Sequence, residues 1–493
     1  MLHSQYLLAV DIGTTRTKGI ILDNNADVVA NSSLTHSDIV PHPGWHEQDA
    51  ENVWWGEFVT TVRHLLNASN ISASRIECIC ITGMFTCFCP TDELGVPLCH
   101  ALLYDDTRAI EYIKQLHNPK VPPFKGNELL PRLMWFRNTF PDLQSQLQKV
   151  FSTHSFIVYR LTGRYCTDGH TACGFGRVFE PETFSWRSDE LLQAEVEEKL
   201  LPEVLPPQAI AGYVTPQAAE ETGLISGIPV LAGAGDMFES LVSCGAHQSG
   251  DVMIHYGSGG ALSQLTKDIY YVLGAQTYVG GDEGVRWLMV LYRSGKQLER
   301  FSSLLYGQQT TSDSPNSLQY LSTAIDISRA ASRPILFLHD TGQLQEFASA
   351  SPILATFLEI PLDATVTDIY RAMLEGFGFR IRQCAENTGL TDRRLNWYAA
   401  GGGTQSHAWC QIVTDIVGHE QIVCSYADSA LGGALMAGHA TALFDLRKVI
   451  QKRIRHATVY RPQKHLCNYY DKQYKKYLHA SQLLQSYREQ YLD

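Results

Sequence analysis

Two aspartates stand where apolar, strand-like runs end in small residues. Asp11 follows Tyr6–Val10 and opens a Gly/Thr turn, whereas Asp236 follows the apolar run 227–232 and a Gly-Ala-Gly triplet. Carboxylates in such positions hold Mg²⁺, directly or through its waters, or accept a proton from a hydroxyl. Both roles belong to phosphoryl transfer, which needs backbone donors, a divalent cation and a base. The plainer alternatives are a turn aspartate for Asp11 and a helix N-cap for Asp236.

The turn after Asp11 has the composition of a phosphate-binding loop. Gly13 lets the backbone come close to a phosphate, and the hydroxyls of Thr14 and Thr15 add hydrogen-bond donors. Lys18 follows on the returning strand, where it could point toward a nucleotide. A related strand, turn and strand pattern recurs about 240 residues later around 257–260 and indicates two domains built on one plan.

A glycine triplet, Gly401-Gly402-Gly403, ends the predicted strand 396–400 and precedes a predicted helix from about Ser406 to Val417. The three glycines allow an anion or a flat surface to approach the backbone at the helix N-terminus. Taken alone, such a triplet is more typical of a tight turn than of a nucleotide site. Both interpretations stay open from the residues themselves.

The elements that must position these residues alternate between strands and helices. Apolar residues at helical spacing predict helices, and Thr162-Gly163 is a helix stop. The predicted helices are Ala50–Leu66, Leu129–Phe136, Phe156–Leu161, Thr367–Cys384 and a terminal helix, Asn468–Tyr487. We place a domain boundary near residue 245, which gives domains 1–245 and 246–493, with helix 468–487 packing back on the body.

Composition restricts the class of protein. A chain of 493 residues with 44% hydrophobic and 18% charged residues is typical of a globular protein with more than one core. Its formal net charge of -12 argues against a nucleic-acid or anionic-membrane partner. No run approaches the length of a membrane span, and the first residues lack the pattern of a signal peptide, so we expect a cytoplasmic location.

The 12 cysteines lack the spacing of a secreted disulfide scaffold. Cys78, Cys80, Cys87 and Cys89 flank an apolar strand-like run as two C-x-C pairs. A metal site would need a loop between the pairs, and none is indicated. We therefore interpret these four residues as buried, small hydrophobic side chains.

Several motifs in fixed order are far more specific than each alone. They are Asp11-Ile12-Gly13-Thr14-Thr15 with Lys18, Gly44-Trp45-His46-Glu47-Gln48-Asp49, Leu161-Thr162-Gly163, Gly233-Ala234-Gly235-Asp236 and Gly401-Gly402-Gly403. Over nearly the whole chain this series resembles the FGGY family of carbohydrate kinases, most closely its xylulose-kinase-like branch. The resemblance implies an α/β fold of two actin-like, ribonuclease-H-like domains with a cleft between them. The sugar would lie against the first domain and ATP mostly against the second.

The resemblance also implies roles for individual residues. Asp236 matches the catalytic aspartate, and Asp11 and Asp236 match the metal-associated carboxylates. Nucleotide-binding positions fall in three segments: Gly13, Thr14, Thr15 and Lys18 in a first phosphate turn, Gly257, Ser258 and Gly259 in a second, and Gly401, Gly402, Gly403 and Gln405 near the adenosine. The implied cofactors are ATP and Mg²⁺, and the implied partner is a small-molecule sugar. The oligomeric state stays open, with a homodimer as one option.

The departures from the family pattern lie on the sugar side. Gly83-Met84-Phe85-Thr86 replaces a Gly-Gln-Met-His stretch, Tyr104-Asp105-Asp106-Thr107-Arg108 replaces Trp-Asn-Asp-x-Arg, Met237 replaces an amide, and Gly342-Gln343-Leu344 replaces Gly-Glu-Arg. The predicted sugar-binding residues are Met84, Phe85, Thr86, Tyr104, Asp106, Arg108 and Met237. Loss of a His and an amide removes hydrogen-bonding groups and should change which sugar binds.

The sequence therefore predicts transfer of the ATP γ-phosphate to a hydroxyl of a ketose or polyol, with a pentulose as the first candidate. Two alternatives remain. A catalytically quiet, sugar-sensing relative would explain the altered pocket, and an actin-like ATPase would share the two phosphate turns.

Overall fold

The computed structural model describes residues 5–116, 125–246, 248–257, 259–267, 276–280, 286–293, 295–306, 318–331, 334–339, 355–390 and 394–491. The predictions for Ser258 and for Gly342-Gln343-Leu344 lie outside these residues.

Most of the described strands fall into two large sheets. The strands are β1 (Tyr6–Ile12), β2 (Arg16–Leu22), β3 (Val28–Thr35), β4 (Glu47–Gln48), β5 (Ile76–Gly83), β6 (Cys89–Thr91), β7 (Ala101–Leu102), β8 (Lys149–Phe151), β9 (Cys166–Asp168), β10 (Phe179–Glu180), β11 (Ser185–Trp186), β12 (Glu203–Leu205), β13 (Ile210–Tyr213), β14 (Pro229–Leu231), β15 (Ala234–Gly235), β16 (Val252–His255), β17 (Gly259–Thr266), β18 (Gln276–Val279), β19 (Arg286–Arg293), β20 (Leu336–His339), β21 (Ala355–Leu358), β22 (Trp397–Ala400), β23 (Gln421–Val423) and β24 (Thr458–Tyr460).

The two sheets have the same plan. In the first, β3, β2 and β1 form an antiparallel meander, β5 and β14 continue in parallel from β1, and β13 closes the edge antiparallel. In the second, β19, β17 and β16 form the meander, β22 and β23 continue in parallel, and β24 closes the edge antiparallel. This repeated topology confirms the prediction of two α/β units of one design.

Helices cover the sheets. They are α1 (Gly56–Ser69), α2 (Leu129–Thr139), α3 (Thr153–Thr162), α4 (Gly169–Gly174), α5 (Ser188–Gln193), α6 (Pro216–Thr222), α7 (Asp236–Cys244), α8 (Gly295–Tyr306), α9 (Leu318–Ala324), α10 (Val366–Asn387), α11 (His407–Val417), α12 (Ser429–Ala440), α13 (Leu446–Arg455) and α14 (Lys464–Tyr491). Within the part of the chain that the structure describes, no helix is long and apolar enough to cross a membrane.

The predicted helix over 50–66 is divided in the structure. A π-helical turn, Ala50–Trp55, precedes α1, because the Asp49 side chain accepts hydrogen bonds from the amides of Glu51 and Asn52 and begins a helical segment there. Elsewhere the predicted helices agree with the structure to within a few residues. The terminal helix α14 packs through Tyr470, Tyr474 and Tyr477, all of which are buried.

One helix of the second half packs on the first sheet. Helix α12 lies against β1, β5 and α7, and Gly432 makes this approach possible. A Cβ at that position would overlap the Glu239 carbonyl oxygen of α7. The two helices therefore cross almost in backbone contact, and this crossing fixes how the N-termini of α7 and α12 are placed.

The four clustered cysteines are buried, as predicted. Cys78 and Cys80 lie in β5 and pack in one hydrophobic cluster, whereas Cys87 and Cys89 follow the strand and pack in another. Burial raises the pKa of each thiol, so the side chains stay neutral and pack as small hydrophobic groups.

Candidate active site

The candidate residues of the first half meet at one edge of the first sheet. Because β1 and β5 run in parallel, Asp11 stands opposite Thr82 and Ile12 opposite Gly83. Strand β15 also pairs with β5, so that Gly235 stands opposite Gly83. The carboxyl ends of these strands coincide, which brings together Asp11, the loop after β5 and Asp236.

Asp236 is the first residue of α7 rather than its N-cap. Gly235 occupies the cap position, and the Asp236 carboxylate accepts hydrogen bonds from the backbone amides of Met237 and of Asp236 itself. Gly233 has φ +69° and passes so close to the Ile81 carbonyl that a Cβ would overlap it. Burial, followed by the charge of nearby Asp11, raises the pKa of Asp236 to about 7. A carboxyl with this pKa can both accept and release a proton near neutral pH.

Asp11 is also a perturbed carboxyl. It is 5% exposed, and burial raises its pKa to about 6 against the opposing effects of Lys18 and of a hydrogen bond from Ser429. Ser429 is the first residue of α12, and the preceding residue, Asp428, caps that helix and lies 3.8 Å from the Lys18 ammonium. The second half of the chain thus supplies two polar side chains to the candidate metal site.

The two aspartates fit a Mg²⁺ ion. The charge of Asp11 helps to raise the pKa of Asp236, and a cation bound nearby would offset this repulsion. Asp11 Oδ1 is a buried oxygen without a hydrogen-bond partner among the described residues. Mg²⁺ is commonly held by one or two carboxylates together with waters and substrate phosphates. The described residues contain no group of three or more His, Cys, Asp or Glu side chains placed to hold a metal. A site of two carboxylates therefore suits Mg²⁺ bound together with a nucleotide.

The first phosphate turn, Gly13-Thr14-Thr15, connects β1 to β2. The Gly13 amide donates to the Arg16 carbonyl at 2.9 Å, which closes the turn. The Thr14 hydroxyl donates to Met84 Sδ at 3.4 Å and also interacts with the Tyr104 hydroxyl. Two predicted sugar-binding residues therefore touch the predicted phosphate turn.

The loop after β5 carries three of the predicted sugar-binding residues. Phe85 is partly buried, and its ring lies 4.2 Å from the His170 ring, centroid to centroid. Burial lowers the pKa of His170 to about 4, so this imidazole is neutral. Thr86 adopts a positive φ of 59°, a conformation that needs support from its surroundings.

Arg132 of α2 provides that support. Its guanidinium donates to the Thr86 carbonyl and to the Leu103 carbonyl, and the side chain is 1% exposed. One buried cation therefore links the two segments that carry Met84, Phe85 and Tyr104. Burial lowers the pKa of Arg132, but an arginine remains charged at neutral pH.

Replacement of Arg132 should weaken binding of the sugar and leave binding of the nucleotide unchanged. We expect Arg132→Met to raise the KM for the sugar by about tenfold, as two buried carbonyls lose a charged donor, with an unchanged KM for ATP. Steady-state kinetics with each substrate varied in turn would measure both. Arg137→Met is the matched control, since Arg137 also lies on α2 and donates to two carbonyls, those of Ala194 and Glu195. Equal effects of the two substitutions would contradict a specific role for Arg132.

Asp106 and Arg108 are buried and bind one another. Arg108 donates to both carboxylate oxygens of Asp106 and to Glu47 Oε1 at 2.7 Å, and its guanidinium lies over the rings of Trp45 and Trp135. These contacts stabilise the chain next to Tyr104. Direct contact of Asp106 or Arg108 with a sugar stays a prediction, as does that of Met237, which is 7% exposed in the core around α7.

The second phosphate turn and the glycine triplet lie side by side in the second sheet. Because β16 and β22 are parallel, His255 stands opposite Ala400, and both turns follow directly. The Gly403 amide donates to the Tyr256 carbonyl at 2.9 Å, and Gly401 has φ +94°. Gly402 and Gln405 are exposed, and a Cβ at Gly402 would meet no atom within 4 Å.

This arrangement favours the nucleotide interpretation of the triplet over a plain turn, because it leaves an open backbone surface beside Gly257. The hairpin from β16 to β17, of which Gly259 is the first residue of β17, repeats the hairpin of the first phosphate turn. Each unit therefore presents a strand–turn–strand element at the same edge of its sheet.

Family models match both halves of the chain. The N-terminal domain of the FGGY family of carbohydrate kinases matches residues 6–243, and the C-terminal domain of that family matches residues 287–441. The chain belongs to the FGGY family of carbohydrate kinases. It is therefore an enzyme, an ATP-dependent phosphotransferase, and the family predicted from the motifs is confirmed.

Relatives within the FGGY family differ in substrate. A xylulose kinase from Staphylococcus epidermidis is 23% identical over 491 residues, which cover 96% of this chain and 96% of the relative. A glycerol kinase from Thermococcus gammatolerans is 27% identical over 281 residues, 54% of this chain and 55% of the relative. The crystal structure of a xylulose kinase from Rhodospirillum rubrum superposes with a TM-score of 0.83 at 22% identity, covering 98% of this chain and 99% of that chain. This likeness confirms the two-domain FGGY fold.

Some residues of the site were not found from the sequence. One sequence feature could have pointed to Ser429 and Asp428. They form an Asp-Ser pair before a run of small residues, which is typical of a capped, closely packed helix. Arg132 had no local signal, because an arginine on an amphipathic helix is usually solvated.

Proposed function

We propose that this FGGY kinase transfers the γ-phosphoryl group of ATP to a hydroxyl of a ketose or polyol, with a pentulose as the first candidate. The observation that carries the proposal is the pair Asp236 and Asp11 at the carboxyl edge of the first sheet, each with its pKa raised by burial. Together they provide a proton acceptor and a cation-binding carboxylate, the two side-chain functions that phosphoryl transfer requires.

Asp236 acts as the base in this proposal. Its carboxylate accepts the proton of the sugar hydroxyl while the hydroxyl oxygen forms a bond to the γ-phosphorus and the bond to the β,γ-bridging oxygen breaks. ADP leaves with the electron pair of that bond. Because the pKa of Asp236 is about 7, a substantial fraction of the carboxyl is ionised at neutral pH and ready to accept the proton.

Asp11 and Asp236 would hold Mg²⁺ together with the nucleotide. When bound, Mg²⁺ neutralises charge on the phosphate oxygens. Lys18 adds a second positive charge, and its contact with Asp428 keeps the ammonium near Asp11. The glycine triplet and Gln405 provide the surface for the adenosine.

The sugar would lie against the loop after β5 and the Tyr104 segment. Met84 and Thr86 stand where the family pattern has a Gln and a His, and Phe85 stands where it has a Met, so this pocket presents more apolar surface. A sugar with one apolar face toward Phe85 suits such a pocket better than one with hydroxyls on every side. The support for a pentulose is the likeness of nearly the whole chain to a protein named xylulose kinase.

The direct test is ADP release by the purified protein over a panel of pentuloses, hexuloses, polyols including glycerol, and sugar acids, with Mg²⁺ and with EDTA. We expect sugar-stimulated, Mg²⁺-dependent ADP release, strongest with a pentulose. ADP release that is independent of any sugar would favour the ATPase alternative. Absence of turnover with every sugar, alongside measurable sugar binding, would favour the sugar-sensing alternative.

A further inference from the structure

All three carbonyl oxygens of the first phosphate turn accept hydrogen bonds from two other residues. The Gly13 carbonyl accepts a hydrogen bond from His36 Nε2 at 3.0 Å, and the Thr15 carbonyl accepts one from the His36 backbone amide at 3.0 Å. Between them, the Thr14 carbonyl accepts a hydrogen bond from Gln48 Nε2 at 2.9 Å. Two residues, one on each flank, therefore fix the orientation of three successive peptide groups.

The orientation of the carbonyls determines that of the amides. In a planar trans peptide the C=O and the following N–H point in opposite directions. Since the Gly13 and Thr14 carbonyls point toward His36 and Gln48, the amides of Thr14 and Thr15 point away from them. Among the residues that the structure describes, these two amides donate to no protein acceptor. Two unused backbone donors on successive residues can bind an anion.

The side chains of His36 and Gln48 are themselves held in place. His36 follows β3, its side chain is 6% exposed, and its Nδ1 pairs with Glu57 Oε2 at 2.9 Å in the first turn of α1. Gln48 is 1% exposed, and its Oε1 accepts a hydrogen bond from Trp54 Nε1 at 2.8 Å. Each side chain therefore has one orientation, and the donor atom of each faces the turn.

We propose that His36 and Gln48 are positioning residues for the nucleotide phosphates, which aim the Thr14 and Thr15 amides at them through the carbonyls of the turn. The inference rests on the proposed function, because it assigns the anion as a phosphate of ATP. Neither side chain touches the nucleotide in this proposal. Both act through the conformation of Gly13-Thr14-Thr15.

The test is nucleotide affinity measured without turnover. For His36→Leu and Gln48→Leu we expect the Kd of Mg-ADP, from isothermal titration calorimetry, to rise by about tenfold, the effect of losing one oriented hydrogen bond. In steady-state kinetics the KM for ATP should rise while the KM for the sugar stays unchanged. His36→Gln keeps a side-chain amide donor and should recover most of the affinity.

A matched control separates positioning from a general structural role. His64 of α1 pairs with Ser32 Oγ of β3 at 2.9 Å and so joins the same two elements as His36, without contacting the turn. His64→Leu should leave the Kd of Mg-ADP unchanged. Unchanged affinity in His36→Leu, or equal losses in His36→Leu and His64→Leu, would overturn this inference alone. No binding of Mg-ADP or Mg-ATP by the unaltered protein would overturn the proposed function as well.

Discussion

Asp236→Asn is expected to lower the sugar-stimulated kcat by about 10²–10⁴-fold, because it removes the group that accepts the hydroxyl proton. Asparagine has nearly the same shape, so binding of the sugar should change far less than kcat. Single-turnover measurements of phosphoryl transfer with a saturating sugar would separate the chemical step from binding. The residual rate would report what the rest of the site contributes without this carboxylate.

Glu239→Gln is the matched control. Glu239 lies one helical turn after Asp236 in α7 and is fully buried, and burial raises its pKa well above the ordinary range, so the carboxyl is neutral. An amide replaces a neutral carboxyl with little electrostatic change, and we expect kcat within a few-fold of the parent enzyme. Comparable losses in both variants would contradict a catalytic role for Asp236.

The pH dependence tests the same aspartate. The base must be ionised, so kcat/KM should fall about tenfold per pH unit below a pKa of about 7 and level off above it. The free energy of unfolding should fall as pH rises, whereas kcat/KM rises. The folded-state pKa lies above the ordinary value of 3.8, so stability is lost as pH rises from about 4 to about 7. Asp236→Asn avoids this loss and should be more stable than the parent by about 1–3 kcal/mol at pH 8, which thermal unfolding would measure.

Gly432→Ala is expected to lower stability by about 2 kcal/mol and activity by about tenfold or more, because a Cβ there would overlap the Glu239 carbonyl. The overlap would push α12 away from α7. Asp236 begins α7, and Ser429 begins α12, so a change at the crossing displaces the Asp11–Ser429 contact relative to the base. Denaturant unfolding and kcat with the preferred sugar would measure the two effects.

Gly433→Ala isolates the cause. The added methyl gives both positions the same gain in helix propensity, about 1 kcal/mol, but at Gly433 the nearest atom is the Cys80 Sγ at 3.2 Å. This contact is longer than the one at Gly432 and involves a side chain rather than a backbone carbonyl. We expect Gly433→Ala to be near neutral in stability and activity. If the two variants behave alike, the two helices are packed less closely than the backbone contact of Gly432 indicates. The prediction that α12 positions α7 would then be wrong.

The sequence by itself located the two carboxylates and the turns. Asp11 and Asp236 each lie near the end of a buried strand, next to small residues. Strand, turn and glycine patterns are local, so such positions can be recognised within a window of about ten residues. The motif order then gave the family and the two-unit fold. The register of the parallel strands was not needed to predict that these elements belong to one site.

The tertiary structure decided which side chains surround those residues. Ser429 reaches Asp11 only because α12 crosses α7 at Gly432, and His36 and Gln48 reach the turn only because β3 and β4 lie beside it. Arg108, a predicted sugar-binding residue, reaches Glu47 for the same kind of reason. Each contact joins segments far apart in the chain, and its geometry is set by helix crossing and strand pairing rather than by the residues on either side. The sequence therefore determined what chemistry the chain carries, and the packing decided which side chains hold that chemistry in place.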